Sequence, residues 1–536
     1  MVISTLALLL GLALTREQLA PDTLLHLPVL GGATEDRIRL EQLRGARSPD
    51  GWLVRSPSHL VADPPIAGTG VAAPPFRVRW LAPELRGVWN SALPFSLNEG
   101  ALWAGRGLST RLSGGALVRT GRVTLILAPQ LLFEQNRSFQ TVSRPEISGE
   151  VERHPLASPF HYPPSSMDLP QRFGGRARVR IDPGQSSLTV RAGALGLGGA
   201  TENLWWGPGI RNALLMGAQA PGIPHLFAET ADPLETPLGA VRARWILGRL
   251  TESDYFDDEP SNDHRSLSAL VLTLTPAFDR GLTVGAARAV FSPSGRLPLG
   301  AALDVFRNVG RPAAEPGDTL LAPGPDQLFS VFGRWVFPTA GLEVYGEWGR
   351  YEQPRSLRDF VELPQHSRAY TVGVQYVRPA GGDRLVRLQS EVTSLEPSQS
   401  FRVRQLGEWY ASPRVPQGYT HDGRVVGAAI GPSGSSQWAA ADWLQEGWSV
   451  GGFVGRVRWE NQALYNYLPE FRRADVSFFP GVRGGGVVGP VRFEATYAYG
   501  VRLNYLFQAR PVTEVQDRGV DLVNHTLSVT LTAAGP

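Results

Sequence analysis

The chain has 536 residues, 52 basic against 49 acidic side chains, and a net charge of +3. So small an excess gives no argument for nucleic acid, and the lack of cysteine excludes disulfides, thiolate metal sites and cysteine nucleophiles. Glycine (60) and proline (44) are abundant without a collagen period or a low-complexity tract, so the excess points to many turns.

In chain order, Val2 to Leu14 form an apolar run too short to cross a bilayer and of the length of a signal-peptide core, so residues 1–15 are read as a signal peptide. Pro21 to Ser56 carries the helical material. Asp22 or Thr23 is placed to cap a short helix through Leu24 and Leu27. Thr34 is placed to cap a second, with Glu35 and Asp36 in its first turn and Arg44-Gly45 at its end. Ser56 to Pro75 is rich in proline, glycine and alanine and reads as a linker. Residues 16–75 are therefore expected to form a small periplasmic helical region with its linker, and residues 76–536 a transmembrane β-barrel.

From Phe76 onward no apolar run is long enough for a membrane-crossing helix. Segments alternate with period 2 instead. Leu342, Val344, Gly346 and Trp348 alternate with Glu343, Tyr345, Glu347 and Gly349, and residues 370–376, 386–392, 491–497 and 527–531 repeat the pattern. Strands of about 8 to 11 residues are what a tilted membrane-crossing strand needs. Tight connections are read at Thr120-Gly121, Pro183-Gly184, Asp279-Arg280-Gly281, Pro338 to Gly341 and Pro379 to Asp383. Long loops are read at Asn136 to Arg172, Thr251 to Arg265, Ser292 to Asp326, Gln353 to Gln365 and Glu396 to Gly418. Short turns at one end and long loops at the other are the pattern of an outer-membrane barrel. Trp103, Trp245, Trp335, Trp348, Trp438, Trp443 and Trp459 are candidates for interfacial girdles, the lumen or loops. The inward faces carry both signs, with Arg242, Arg244, Arg334, Arg387 and Arg492 among Glu343, Glu347, Glu391 and Glu494. Such a face keeps a polar lumen folded, and with nearby aromatics it also suits sugar.

Asn203 to Leu250 organises the chain. Adjacent Trp205 and Trp206 point to opposite faces of an extended backbone, and Gly207-Pro208-Gly209 turns it, with Gly209 offering the positive φ of a type II turn. The apolar, proline-stiffened segment Asn203 to Pro237 is poorly suited to water and is expected to fold back into the barrel mouth or lumen.

The motifs Asn203-Leu204-Trp205-Trp206-Gly207-Pro208-Gly209, Ala220-Pro221-Gly222-Ile223-Pro224-His225 and Arg249 resemble the capsule assembly protein Wzi family of outer-membrane barrels. The resemblance extends to Asp50-Gly51-Trp52-Leu53-Val54-Arg55-Ser56, Asn98-Glu99-Gly100-Ala101-Leu102-Trp103-Ala104-Gly105-Arg106-Gly107, Asp168-Leu169-Pro170-Gln171-Arg172-Phe173-Gly174, Pro183-Gly184-Gln185-Ser186 and Gly418-Tyr419-Thr420-His421. It implies an antiparallel all-β barrel of about 18 strands with a small periplasmic helical piece, and a lectin-like role in attaching capsular or other surface polysaccharide to the cell. The Trp-Trp-Gly-Pro-Gly motif (Asn203, Trp205, Trp206, Gly207, Pro208, Gly209) is read as structural, because positioning a loop needs no chemistry.

No catalytic constellation is visible. The nine histidines form no HExxH and meet no Gly-x-Ser-x-Gly elbow. His421 in Thr420-His421-Asp422-Gly423 reads as a loop hydrogen bond before it reads as a ligand. The acidic run Glu252, Asp254, Asp257, Asp258, Glu259 and Asp263 has oxygen ligands for Ca²⁺ but reads first as a solvated loop. No enzyme activity, cofactor or metal is assigned. The expectation is a monomeric outer-membrane protein with surface polysaccharide and membrane lipid as partners, and a porin or substrate channel as the alternative. The best candidate sugar contacts are Arg404, Trp409, Tyr410, Arg414 and Tyr419 of the long outer loops.

Overall fold

The computed structural model describes residues 24–49, 52–61, 76–142, 154–161, 166–257, 259–294, 299–307, 323–354, 356–402, 404, 406–467, 473–508 and 520–533. The signal-peptide assignment, the residues at 22 and 23 and most of the 56–75 linker lie outside them. Among the described residues, eighteen antiparallel strands close into one barrel. Closure pairs the last strand, Leu522–Ala533, with the first, Phe76–Asn90, in the register Thr526↔Asn90 to Thr532↔Glu84. A closed barrel satisfies its backbone groups from strand to strand, which the bilayer interior requires.

The alternation lies where the sequence puts it. In the strand Leu342–Arg350, Glu343, Tyr345 and Glu347 are buried inside, while Val344 is exposed on the outer face. Trp80, Trp335, Trp443 and Trp448 are exposed on the outer wall near the short turns, forming an aromatic girdle at that end. Trp103 and Trp438 are buried inside instead, so they belong to no girdle.

Pro183-Gly184 is not a hairpin. Arg178–Asp182 and Ser187–Ala192 are two halves of one strand, and their neighbour is broken in step between Val123–Leu127 and Gln130–Glu134. Gly184 sits at φ +63, where an added Cβ would lie 2.2 Å from the Ala128 carbonyl oxygen, so this break needs glycine.

The N-terminal piece departs from its expected form. Leu24–Leu25 is not helical but a short parallel strand on Trp80–Leu81. The closing strand reaches the first strand only as far as Glu84, and a bulge follows between Leu81 and Glu84. The free edge below it is taken by the N-terminal segment. The longest helix among the described residues, Ala33–Leu43, follows Gly32 and has no side-chain cap, so Thr34 does not cap it. It lies against inward-facing wall side chains. Arg39 pairs with Glu343, Arg387 with Asp36 at 2.6 Å, and Arg334 donates to Gln42 at 2.7 Å.

Candidate functional site

Two stretches leave the wall and fill the lumen. The first is residues 201–224. Its ends nearly touch, since a Cβ on Gly222 would lie 1.7 Å from the Thr201 carbonyl oxygen. Trp205–Trp206 forms a two-residue antiparallel ladder with Val54–Arg55. This ladder explains why two motifs far apart in sequence occur together. Arg55, almost fully buried, pairs with Glu35 and donates to the carbonyls of Gly207 (2.9 Å) and Gly209 (3.0 Å). Its guanidinium also lies 5.2 Å from the Trp52 ring centroid and 5.3 Å from that of Trp205. The positive φ falls on Gly207 (+98) rather than on Gly209; an added Cβ there would lie 2.9 Å from Glu347 Oε2. Gly209 is required by proximity instead, with the Asn212 carbonyl oxygen 1.9 Å from where a Cβ would sit. Asn203 donates to the Ala220 carbonyl and accepts from Gln185, which closes the base of the excursion. The Glu391 carboxylate, on the wall, accepts backbone N–H bonds from Arg211 (3.1 Å) and Asn212 (3.0 Å) and the Tyr345 hydroxyl (2.8 Å). Residues 225–230 and 234–236 return to the wall as strands, so the infolding ends before Pro237.

The second stretch is residues 406–434. Tyr410 ties it to the first: its hydroxyl donates to the Leu214 carbonyl and accepts from the Ala428 N–H, both at 2.8 Å. Trp409, Tyr410 and Tyr419 are 2%, 1% and 0% exposed, so the expectation that they face outward for sugar is corrected: they are lumen core. Arg404 is committed to Asp359 (3.0 Å) and Glu352 (3.4 Å), and Arg414 donates to the Pro325 carbonyl at 3.2 Å. The site residues expected from sequence are therefore not gathered into one contact surface.

The remaining motifs meet at a notch in the wall. The strands Leu195–Ala200 and His225–Thr230 pair up to Ala200 and His225, where the chain turns inward, while Arg178–Asp182 runs on with one paired edge among the described residues. The hairpin Thr420–His421 with Arg424–Val425 stops this notch. Asp422 N–H donates to the Thr251 carbonyl at 2.9 Å, and Arg180 pairs with Asp422 at 3.1 Å. Buried Asp168 accepts from Ser253 N–H (2.7 Å), Ser253 Oγ (2.6 Å) and Gly423 N–H (3.2 Å). Arg424 donates to the carbonyls of Ala101 and Leu102, each at 3.2 Å. His421 Nδ1 accepts the Thr251 N–H at 3.0 Å, the loop hydrogen bond its sequence setting offered. The acidic run does not converge: Asp257 and Glu259 accept local backbone N–H groups, and no cluster of three metal-ligating groups forms among the described residues. Asp258 lies outside them. Burial, with Asp257 and Asp168 adding to it, pushes the Glu252 carboxyl up to about 8.

Little open space remains at the long-loop end. Two adjoining hollows, each with room for only about one water, share Phe479 and lie beneath the ends of the last wall strands. The larger is lined by Phe95, Trp459 and Phe479 with Asn524 and Arg502; the latter is held in a fork by Asp475 at 2.7 and 2.9 Å. The smaller is lined by Asn98, Arg211, Asn212 and Trp438, with the Arg211 guanidinium 5.4 Å from the Trp438 ring centroid. None of these residues was singled out as a contact from sequence. The available signal was position: Asn98 opens one of the motifs, and Arg211-Asn212 lies one residue beyond Trp-Trp-Gly-Pro-Gly.

No family model and no curated protein matches the chain. Solved structures do. Wzi, an outer membrane protein involved in group 1 capsule assembly in Escherichia coli and a carbohydrate-binding β-barrel, matches with a TM-score of 0.54 at 13% identity, over 84% of each chain. A BenF-like porin from Pseudomonas fluorescens matches at 7% identity and TM-score 0.35, over 85% of this chain and 98% of that one. OccAB4 of Acinetobacter baumannii matches at 8% identity and TM-score 0.38, over 85% and 97%. At these identities the likeness is one of fold, and with the closed barrel it places the protein in the outer membrane.

Proposed function

We propose that this protein holds surface polysaccharide at the outer membrane by binding it, as a monomer and without turnover. The observation that carries the reading is a lumen filled by its own chain. A diffusion channel of this strand number keeps an aqueous path. Here Trp205, Trp206, Leu214, Leu215, Tyr410 and Tyr419 form one continuous core with inward wall residues such as Ile246, Phe291 and Phe332. The fold likeness to Wzi supports the same reading. The buried aromatics at 409, 410 and 419 are no part of the contact surface, which falls to the long-loop end of the barrel.

The test is the ratio of cell-bound to released polysaccharide in a strain lacking the protein, with conductance of the purified protein in planar bilayers beside it. Glycan of unchanged structure shifting to the medium, with a non-conducting protein, is expected. An unchanged ratio with porin-like conductance transfers the function to a substrate channel.

A further inference from the structure

One connection does not stay at the barrel mouth. Residues 299–307, which follow the strand Leu282–Pro293, lie as a strap across the outside of the wall. Ile246, Ala269, Ala287, Ala289 and Leu328 face the lumen core. The residues that alternate with them, Trp245, Ser268, Arg288 and Gln327, therefore face outward. All four bring polar groups to a face that meets lipid, where an arginine is destabilising.

The strap answers these groups. Trp245 Nε1 and Ser268 Oγ donate to the Ala302 carbonyl at 3.1 and 2.8 Å. Arg288 donates from Nη1 to the Val305 carbonyl (2.8 Å), from Nη2 to that of Arg307 (2.9 Å), and from Nε and Nη2 to Gln327 Oε1 (3.0 and 2.7 Å). Leu299–Phe306 is a 3-10 helix, in which residues three apart share a face. Val305 is 3% exposed against the wall, whereas Leu303 and Phe306 are 56% and 63% exposed on the far side. The two charges of the strap, Asp304 and Arg307, neutralise each other at 2.9 Å. Its height follows from the girdle at the short-turn end, where Trp335 pairs with Leu282. From 282 to 288 a tilted strand climbs roughly 15 Å, which leaves Arg288 inside an apolar band about 25 Å tall and in its outer half.

We propose that the strap is a lipid anchor: latched to the wall through Arg288, it lies in the plane of the outer leaflet and inserts Leu303 and Phe306 among the lipid chains. It runs from the strands that carry Trp245 and Ser268 to the one that carries Arg288, so it crosses the strands instead of following them. That is the posture of a segment lying in a membrane interface. Its far face continues the lipid-facing wall, where Leu272, Val284, Phe329 and Val331 are exposed around it. At bilayer depth, backbone away from the strand ladders is tolerated only when its polar groups find partners in the protein. Trp245, Ser268 and Arg288 supply those partners for three strap carbonyls. The strap thereby fastens the connection between Leu282–Pro293 and Asp326–Phe337 to the membrane beside the barrel mouth.

The inference does not depend on the polysaccharide reading. The chain holds no cysteine, so Leu303→Cys and Phe306→Cys each give one labelling site without background. Full-length protein carrying a nitroxide at either position is reconstituted into vesicles of phosphatidylethanolamine and phosphatidylglycerol. Collisions of the label with oxygen, which concentrates in lipid, are compared with collisions with a water-soluble nickel chelate. Val372→Cys, exposed on the outer wall, is the lipid reference, and Glu259→Cys, exposed in a long loop, is the water reference. Both strap labels should match the Val372 position and collide with nickel several-fold less than the Glu259 position. Adding Arg288→Met, which removes the latch and leaves an apolar outer wall, should mobilise both labels and raise their nickel collisions. Retained heat-modifiable mobility on a gel shows that each variant is folded. Strap labels as open to nickel as the Glu259 position overturn the insertion. Spin–spin broadening that disappears on dilution with unlabelled protein assigns the face to a second copy and overturns the lipid assignment. Labels unmoved by Arg288→Met overturn the latch.

Discussion

Replacing Arg55 with methionine tests whether the N-terminal segment and the first infolded stretch form one locked unit. Arg55 is 1% exposed; it neutralises Glu35 and donates to the carbonyls of Gly207 and Gly209. Methionine keeps much of the apolar bulk against Trp52 and Trp205 but strips Glu35 of its cation, leaving that carboxylate the Gly31 N–H at 2.7 Å. Removing one partner of a buried ion pair costs about 3–5 kcal/mol. The wall ladders do not pass through Arg55, so the loss should appear as local opening of residues 52–61 and 203–216 rather than as unfolding of the barrel. At about 1.4 kcal/mol per decade, protection of those amides should fall by roughly 100- to 4000-fold in native-state hydrogen exchange. The double variant Glu35→Gln with Arg55→Met should regain part of the loss, because no buried charge is left unpaired. Unchanged exchange in both stretches, or equal loss of protection in the wall strands, would refute the lock.

Two further outcomes follow from backbone and charge. Gly207→Ala, at φ +98 with Glu347 Oε2 2.9 Å from the new Cβ, should cost about 1–3 kcal/mol, whereas Gly121→Ala, at φ +54 with nothing within 4 Å, should cost about 1 kcal/mol; urea midpoints of the two variants compare them directly. His161 is fully buried between Glu408 at 3.0 Å and Glu460 at 3.4 Å, and joins three outer loops. Burial pushes its imidazole down, but Glu460 and Glu408 outweigh that and hold it up at about 10. A folded value raised above the unfolded one, near 6.5, makes the anchor complete below about pH 6.5 and progressively lost as pH rises towards 10. Limited proteolysis of the 154–161 and 459–467 loops should therefore accelerate across that window, and His161→Gln should abolish the dependence.

The sequence makes the wall legible because one face meets lipid and the other meets protein, and a period of 2 records that difference residue by residue. Glu343, Tyr345 and Glu347 turn inward as their alternation with Val344 and Gly346 requires. The same rule fails at Pro183-Gly184, where a turn dipeptide serves as an in-strand break because the neighbouring strand is broken at the same level. It also fails at Leu24–Leu25, which completes an edge whose existence depends on where the closing strand stops, hundreds of residues away. The infolding of the Trp-Trp-Gly-Pro-Gly stretch could be read from its apolar content. That of residues 406–434 could not, since Trp409, Tyr410 and Tyr419 look the same in a loop that waves in water and in one that fills a lumen. The two hollows at the long-loop end were hidden for a related reason. Their residues come from strand ends and loop interiors that the barrel alone brings together.

The charges inside this barrel bear on how it works. Buried ion pairs add little net stability, and an apolar filling would pack at least as well. What the pairs supply is position. The helix Ala33–Leu43 is keyed to Glu343 through Arg39 and to Arg387 through Asp36. The first infolded stretch is keyed to Glu391 through its own N–H groups. The hairpin in the wall notch is keyed to Arg180 through Asp422 and to the 98–107 stretch through Arg424. Each filling element has its own charged partner, so moving any one by a register would strand a buried charge. A filling fixed in this way makes a poor sliding gate and a good floor. On the function proposed above, ligand arriving from the long-loop end would meet a fixed surface rather than a moving gate, the arrangement that retention by occupancy needs.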